Sequence, residues 1–318
     1  MKILVTGAAG FIGSALATRL LARGDEVIGL DNLNDYYPVA LKKARLALNP
    51  SMRFIDGDIA DRETLPKLFE KERFDAVVNL AAQAGVRYSI ENPWAYIESN
   101  IVGFENILEC CRHYPVSHLV YASSSSVYGG NEKVPFSEDD KVDNPVSLYA
   151  ATKKSNELMA SCYAKLYGIY ATGLRFFTVY GPWGRPDMSP MLFATAISRG
   201  EAIKVFNGGD MMRDFTYIDD IVEGIVRVLD APGSGHSVYN IGCSNPVKLM
   251  DFISEIEGAM GCEARKIMLP MQPGDVYQTY ADTTRLEKDF GYKPRVTLHE
   301  GIGEFIKWFK SDKNPLKI

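Results

Sequence analysis

Tyr149 and Lys153, in the run Tyr149-Ala150-Ala151-Thr152-Lys153, stand four residues apart and so share one face of any helix that contains them. A phenol with its ordinary pKa of about 10 is a poor base at neutral pH. A lysine ammonium one turn away stabilises the phenolate and lowers that value, which lets the tyrosine take a proton from an alcohol. The run Val120-Tyr121-Ala122-Ser123-Ser124-Ser125-Ser126-Val127-Tyr128-Gly129 adds a cluster of hydroxyls with apolar residues on both sides. If strand geometry persists through it, Ser124 and Ser126 point the same way and can hydrogen-bond a reacting oxygen. Either feature alone has an ordinary explanation, a surface pair or a flexible turn. Together they point to proton transfer at an alcohol.

Removing that proton is useful when hydride leaves the same carbon, and the N-terminal residues offer a place for a hydride carrier. Thr6-Gly7-Ala8-Ala9-Gly10-Phe11-Ile12-Gly13 follows an apolar run and opens a helical pattern, with glycines at Gly7, Gly10 and Gly13. Glycine permits a tight turn and a close approach of backbone N–H groups to a pyrophosphate at the positive end of a helix. Asp31 ends the next apolar run, where a carboxylate accepts from adenosine ribose hydroxyls and repels a 2′-phosphate, favouring NAD over NADP. Asp58, in Asp56-Gly57-Asp58, is placed to reach an adenine amine, although acid-glycine-acid also describes many solvated turns.

These residues need a scaffold. Short aliphatic runs at 3–5, 26–30, 53–56, 76–80, 118–122 and 171–176 alternate with helical patterns such as 11–22, 101–111 and 147–166. Such runs read as buried parallel strands, so the chain is expected to be an α/β protein with a Rossmann-like, doubly wound parallel sheet. After Leu174 the rhythm breaks into shorter elements separated by Gly-Pro turns. The expected division gives residues 1–174 to dinucleotide binding, with a return segment near 216–241. Residues 175–215 and 242–318 form a smaller mixed α/β substrate lobe. With 318 residues, 46% hydrophobic, the chain can build these cores without staples. A net charge of -5 with no basic tract argues against a nucleic acid polymer as partner. Five cysteines without a Cys-x-x-Cys pair, and four histidines without ligand spacing, suggest neither a disulfide framework nor a metal. No run is long enough to span a membrane and no signal cleavage site follows the first strand, so the expected location is the cytoplasm.

The motifs T-G-x-x-G-F-I-G, S-S-S-S-V-Y-G and Y-x-x-x-K, in this order, resemble the extended short-chain dehydrogenase/reductase family of nucleotide-sugar epimerases, and the similarity continues nearly to the C-terminus. The resemblance implies a bound NAD that removes hydride from a sugar C4 and returns it to the other face of the 4-keto sugar. It makes Tyr149 the acid/base, Lys153 its electrostatic partner and ribose ligand, and Ser124 the third catalytic residue. Phe11, Ile12, Asn32, Ile59, Leu80, Ala81, Ala82 and Asn100 join the glycines, Asp31 and Asp58 around the cofactor. It also implies a homodimer formed through the helices at 100–111 and 149–166.

Within that family, Arg175-Phe176-Phe177-Thr178-Val179-Tyr180-Gly181-Pro182-Trp183-Gly184-Arg185-Pro186-Asp187-Met188 and Asp31-Asn32-Leu33-Asn34-Asp35-Tyr36-Tyr37 resemble UDP-glucuronate 4-epimerases. Arg185 is the expected partner of a substrate carboxylate, since guanidinium offers a bidentate fork. Thr178, Ser125, Ser126 and Arg87 are expected near the sugar. By the same resemblance Arg213 meets the diphosphate, Asp275 the uridine ribose, and Lys204, Val205 and Phe206 the uracil. The pattern departs after Met188, where Ser189-Pro190-Met191 replaces an aromatic-containing run. UDP-glucose/UDP-galactose epimerisation, UDP-glucuronate decarboxylation and a non-catalytic NAD-binding regulator remain alternatives. Ser125 after Ser124, where dehydratases and decarboxylases carry an acid, and the intact Tyr149–Lys153 pair count against the last two.

Overall fold

Apolar runs that have no polar face must be covered on both sides, and that requirement sets the architecture in a computed structural model, which describes residues 1–272 and 275–316. Along the chain come β1 (Lys2–Thr6), α1 (Phe11–Ala22), β2 (Glu26–Asp31), α2 (Val39–Ala47), β3 (Arg53–Asp56), α3 (Thr64–Glu72) and β4 (Ala76–Asn79). Short α4 (Tyr88–Glu91) and α5 (Pro93–Tyr96) then lead through a π-helical segment, Ile97–Val102, into α6 (Gly103–His113). β5 (His118–Ser124), α7 (Leu148–Tyr167), β6 (Ala171–Phe176), β7 (Thr178–Tyr180), α8 (Ser189–Ser198), β8 (Ile203–Phe206) and β9 (Met212–Tyr217) follow. The chain ends with α9 (Ile218–Asp230), β10 (His236–Ile241), β11 (Pro246–Lys248), α10 (Leu249–Met260), β12 (Lys266–Leu269), α11 (Thr284–Phe290) and α12 (Leu298–Phe309).

Seven strands make one parallel sheet in the order β10-β6-β5-β4-β1-β2-β3, the Rossmann-like arrangement that the alternating runs imply. Successive side chains point to opposite faces, so Ile3 and Val5 enter one core layer and Leu4 the other. From β1 the chain works outward to β3, then returns to lay β4 on the other side of β1. The connections leaving β1 and β4 therefore part company, and the gap between them is where such sheets bind ligands. Gly7, at φ +68°, sits in that gap: a Cβ there would lie 2.8 Å from the Ala81 nitrogen. The remaining strands form two small sheets, β11-β9-β7 and β12-β8. The parallel sheet reaches beyond residue 174, since β6 continues to Phe176 and β10 returns to pair with it.

Helix boundaries follow their caps. Ser147 accepts a hydrogen bond from Ala150 N at 3.1 Å to start α7, and Gly168, at φ +70°, ends it. The expected helix at 101–111 begins earlier than its apolar pattern shows, because the π-helical turn adds a residue and hides the periodicity.

Arg45 of α2 is fully buried, with no carboxylate against it among the described residues. Its Nε donates to Trp183 O at 3.1 Å, Nη2 to Trp183 O at 2.6 Å and Gly184 O at 3.2 Å, and Nη1 to Ala9 O at 3.1 Å and Tyr37 Oη at 2.8 Å. One guanidinium thus joins three loops. Arg45→Met strands those oxygens against an apolar side chain and is expected to lower the unfolding free energy by about 3 kcal/mol. A urea midpoint equal to that of the unaltered protein would show that the loops hold together without it.

Candidate active site

One cleft collects most of the residues singled out from the sequence. Gly7, Gly10, Phe11, Ile12, Gly13, Asp31, Asn32, Asp58, Ile59, Leu80, Ala81 and Ala82 line it, and so do Ser124, Ser125, Ser126, Tyr149, Lys153, Thr178 and Arg185. The first group comes from the ends of β1, β2, β3 and β4, the second from β5, α7 and the segment after β6.

The glycine segment has the shape an anion needs. Gly10 begins α1 without any side-chain cap, and no acid occupies its first turn, which leaves the positive helix end to an incoming group. Side chains are excluded there: a Cβ on Gly10 would lie 2.9 Å, and one on Gly13 2.1 Å, from Gly7 O. The Asp31 carboxylate is fixed at the end of β2 by Ala9 N at 3.1 Å and Leu33 N at 2.9 Å. Asp58 accepts from Ala60 N and from Asn32 Nδ2, both at 2.8 Å. An uncapped helix start, a cradle that any Cβ would fill and a carboxylate fixed at the end of β2 fit NAD.

Tyr149 and Lys153 lie on one face of α7, with the Tyr149 ring edge-on to Tyr96 at 6.0 Å between centroids. Burial raises the Tyr149 pKa, while the Ser124 hydroxyl and the Arg185 charge oppose the rise. Lys153 is turned toward a backbone carbonyl. Its Nζ donates to Ala122 O at 2.8 Å, and burial pulls its pKa down to about 8. The serines also meet in another way than the strand pattern suggests. β5 stops at Ser124 and residues 125–128 turn into a 3-10 helix, so Ser124 Oγ donates to Ser126 Oγ at 3.1 Å and accepts from Ser126 N at 3.2 Å. Behind this turn, Glu157 accepts from Ser123 Oγ at 2.7 Å and pairs bidentately with Arg175, at 2.8 Å from Nε and 2.9 Å from Nη2.

Seven sequence-selected residues lie elsewhere. Asn100 braces the cleft instead of lining it. From the π-helical turn its amide accepts from Gln83 N at 2.8 Å and donates to Gln83 O and Thr152 Oγ1, both at 3.0 Å. Arg87, expected near the sugar, lies 3.4 Å from the Asp275 carboxylate and 5.0 Å from the Phe206 ring centre. Arg213 reaches the same Asp275 at 4.0 Å, and its guanidinium donates to the carbonyls of Met212, Val276 and Tyr277. On β8, Lys204 is exposed and Phe206 half-buried, whereas the Val205 side chain is buried in the core, leaving only its backbone for a ligand.

Arg185 is already engaged. Its Nε donates to Asp187 Oδ1 at 3.0 Å and its Nη2 to Asp187 Oδ2, which also accepts from Tyr36 Oη at 3.1 Å. Burial works against the guanidinium charge, but Asp187 and Tyr36 outweigh it and raise the pKa. Tyr36, Asp187 and Arg45 escaped the sequence reading as individual site residues. For Tyr36 and Asp187 the only signal was membership of the two quoted segments; for Arg45 there was none, because its partners are backbone carbonyls far along the chain.

Comparison with known proteins agrees with this geometry. The NAD dependent epimerase/dehydratase family model matches residues 3–242. UDP-glucuronate 4-epimerase 2 of Arabidopsis thaliana is 48% identical over 328 residues, covering 97% of this chain and 76% of that protein. The crystal structure of UDP-glucuronic acid 4-epimerase from Bacillus cereus, in complex with UDP-glucuronic acid and NAD, superposes with a TM-score of 0.91 at 37% identity, covering 98% of this chain and 99% of that one. UDP-glucose 4-epimerase from Thermotoga maritima, with UDP-glucose, superposes with a TM-score of 0.90 at 31% identity, covering 98% and 99%.

Lys153 supplies a test of the site's dryness. Its folded pKa of about 8 lies below the 10.5 of an unburied lysine, so the unfolded chain binds the extra proton between those values. The cost of burying the charge is full below the folded pKa and fades as pH rises toward the unfolded one, amounting to about 3 kcal/mol. Lys153→Met is therefore expected to raise the Tm of the cofactor-free protein near neutral pH while abolishing turnover, with the gain shrinking in alkali. A Tm that falls near neutral pH would contradict this account of the lysine.

Proposed function

The chain belongs to the NAD dependent epimerase/dehydratase family, and on that premise we propose that it interconverts UDP-glucuronate and UDP-galacturonate by inverting C4. The observation that carries the reading is a mostly buried arginine, Arg185, in the same cleft as Tyr149 and Ser124. A sugar carboxylate rationalises that cation; a hydroxymethyl group does not. Relatives named UDP-glucuronate 4-epimerase, similar over nearly the whole chain, support it.

The Gly7–Gly13 turn and Asp31 would hold NAD, which would supply the hydride acceptor for C4 and the source of the returning hydride. Ser124 hydrogen-bonds O4 and holds it against Tyr149, whose phenolate takes the O4 proton as hydride leaves and gives it back when hydride returns. Lys153, oriented by Ala122 O, keeps positive charge near that phenolate and donates to the nicotinamide ribose. Oxidation at C4 makes a β-keto acid, which loses carbon dioxide when its carboxylate bond aligns with the carbonyl π-system. Arg185 and Thr178 hold that bond out of alignment. Arg213 meets the diphosphate, Asp275 the uridine ribose, and the β8 segment from Lys204 to Phe206 the uracil, with Arg87 at this nucleotide end. In domain terms, residues 1–174 with the return segment bind the dinucleotide and the rest bind the UDP-sugar. The protein works in the cytoplasm as a homodimer through α6 and α7; Leu158 and Leu166 of α7 leave apolar surface exposed for a partner copy. Among the described residues no helix is long and apolar enough to cross a membrane.

The test is incubation of purified protein with UDP-glucuronate, without added reductant, followed through the sugar anomeric protons by NMR. UDP-galacturonate is the expected product. UDP-pentose alone would make the protein a decarboxylase, and turnover of UDP-glucose only would make it a neutral-sugar epimerase. Arg185→Ala is expected to lower kcat/KM for UDP-glucuronate about 100-fold, the worth of a buried charge-assisted contact. Unchanged kinetics with no pentose would remove Arg185 from the carboxylate.

A further inference from the structure

A guanidinium has five N–H donors, arranged as an edge (Nε and one Nη) and a tip (the two Nη groups). Asp187 occupies the edge of Arg185, with Nε donating to Oδ1 at 3.0 Å and Nη2 to Oδ2. Tyr36 Oη, from the loop after β2, donates to the same Oδ2 at 3.1 Å. Two segments 151 residues apart in sequence thus hold one carboxylate in place. Among the described residues no further acceptor meets the Nη1 end of the fork. The guanidinium lies 5.9 Å from the Tyr36 ring centre, and its Nη2 would be 3.7 Å from a Cβ on Gly85, whose φ of +107° also disfavours any side chain.

We propose that Asp187, itself held by Tyr36, is a positioning residue that locks the edge of Arg185 so that only the tip is offered to the sugar carboxylate. The inference rests on the reading that Arg185 binds that carboxylate. It changes what the arginine does. The Arg185–Asp187 pair is neutral, so the sugar carboxylate is recognised by the direction of two N–H groups more than by net charge, and its plane follows the plane of the fork. A fixed fork fixes the torsion about C5–C6. A loose one follows the carboxylate as it swings into alignment with the C4 carbonyl. The C5–C6 bond then breaks, its electron pair moves into the carbonyl as an enolate, carbon dioxide departs, and a solvent proton arrives at C5 to leave a UDP-4-keto-pentose. Asp187 therefore acts on the choice between inversion and carbon loss, through Arg185 and without touching the sugar.

The experiment compares Asp187→Asn, Tyr36→Phe and Arg185→Ala holoenzymes by NMR product analysis, with calorimetric binding of UDP-galacturonate as a second readout. Asp187→Asn keeps the shape and removes the charge that grips the edge. It is expected to raise the ratio of pentose products to UDP-galacturonate about tenfold while KM for UDP-glucuronate stays level or falls. Tyr36→Phe is expected to shift the ratio the same way by less. Binding of UDP-galacturonate within a few-fold of the unaltered protein shows that the variants are folded. Product ratios unchanged in both variants, with Arg185→Ala still impaired, would overturn the role of Asp187 and leave that of Arg185 standing. If Arg185→Ala is itself silent, the carboxylate reading falls and this inference with it.

Discussion

The cleft depends on a cation that meets no anion among the described residues. Arg45 carries its charge into the interior and spends all five N–H groups on four neutral oxygens, three of them backbone carbonyls. An arginine suits this because its charge survives burial and its donors fan out in a plane, so one side chain can address several loops at once. Those loops are the glycine turn through Ala9, the segment after β2 through Tyr37, and the turn at Trp183–Gly184. Trp183 takes up a left-handed conformation at φ +64°, an arrangement that persists only where surrounding contacts hold it. Arg185 leaves that turn two residues later. The glycine turn and the turn that leads to Arg185 are therefore set by the same anchor, and a displacement of one displaces the other.

The other charges near the cleft are balanced to different degrees. The Glu157–Arg175 pair is nearly inaccessible to solvent and well hydrogen-bonded, and it braces the serine turn from behind. Arg185 is matched by Asp187. Lys153 has only a backbone carbonyl, and burial weakens its hold on a proton. Glu157 with Arg175 and Arg185 with Asp187 are charge-matched, while Lys153, one turn along α7 from Tyr149, meets only a backbone carbonyl among the described residues.

What could be read in advance follows the range of the interactions. Strands such as Ile3–Val5 and Ala171–Phe176 are apolar because both faces are buried, and α1 and α7 show helical spacing or sharp caps, so the sheet was legible from local pattern. Residues of the cleft that belong to compact motifs, Gly7 to Gly13, Ser124 to Ser126, Tyr149 and Lys153, were legible for the same reason. Asn100 was placed beside the cofactor, but a π-helical turn swings its amide onto the Gln83 backbone, and no periodicity announces such a turn. Val205 was placed at the uracil by resemblance alone, and its side chain is buried in the core. Arg87 sits in the segment after β4 that reaches the cleft at Val86, yet its long side chain crosses to Asp275. Arg45 was invisible because its partners are carbonyls, which every residue possesses.

The place of β10 at the sheet edge bears on how the chain can be made. β6 has β5 on one side and β10 on the other, and β10 begins some sixty residues after β6 ends, once the excursion through β7, β8 and β9 is complete. Until residue 241 has left the ribosome, the outer edge of β6 is an open row of N–H and C=O groups, and the face of α1 that meets α9 has no cover. The half that carries β1 to β6 is thus not a separable module that folds first and waits. Synthesis must run through most of the second lobe before the first lobe can close, which makes the nascent intermediate, rather than the finished protein, the species most exposed to strand-edge aggregation.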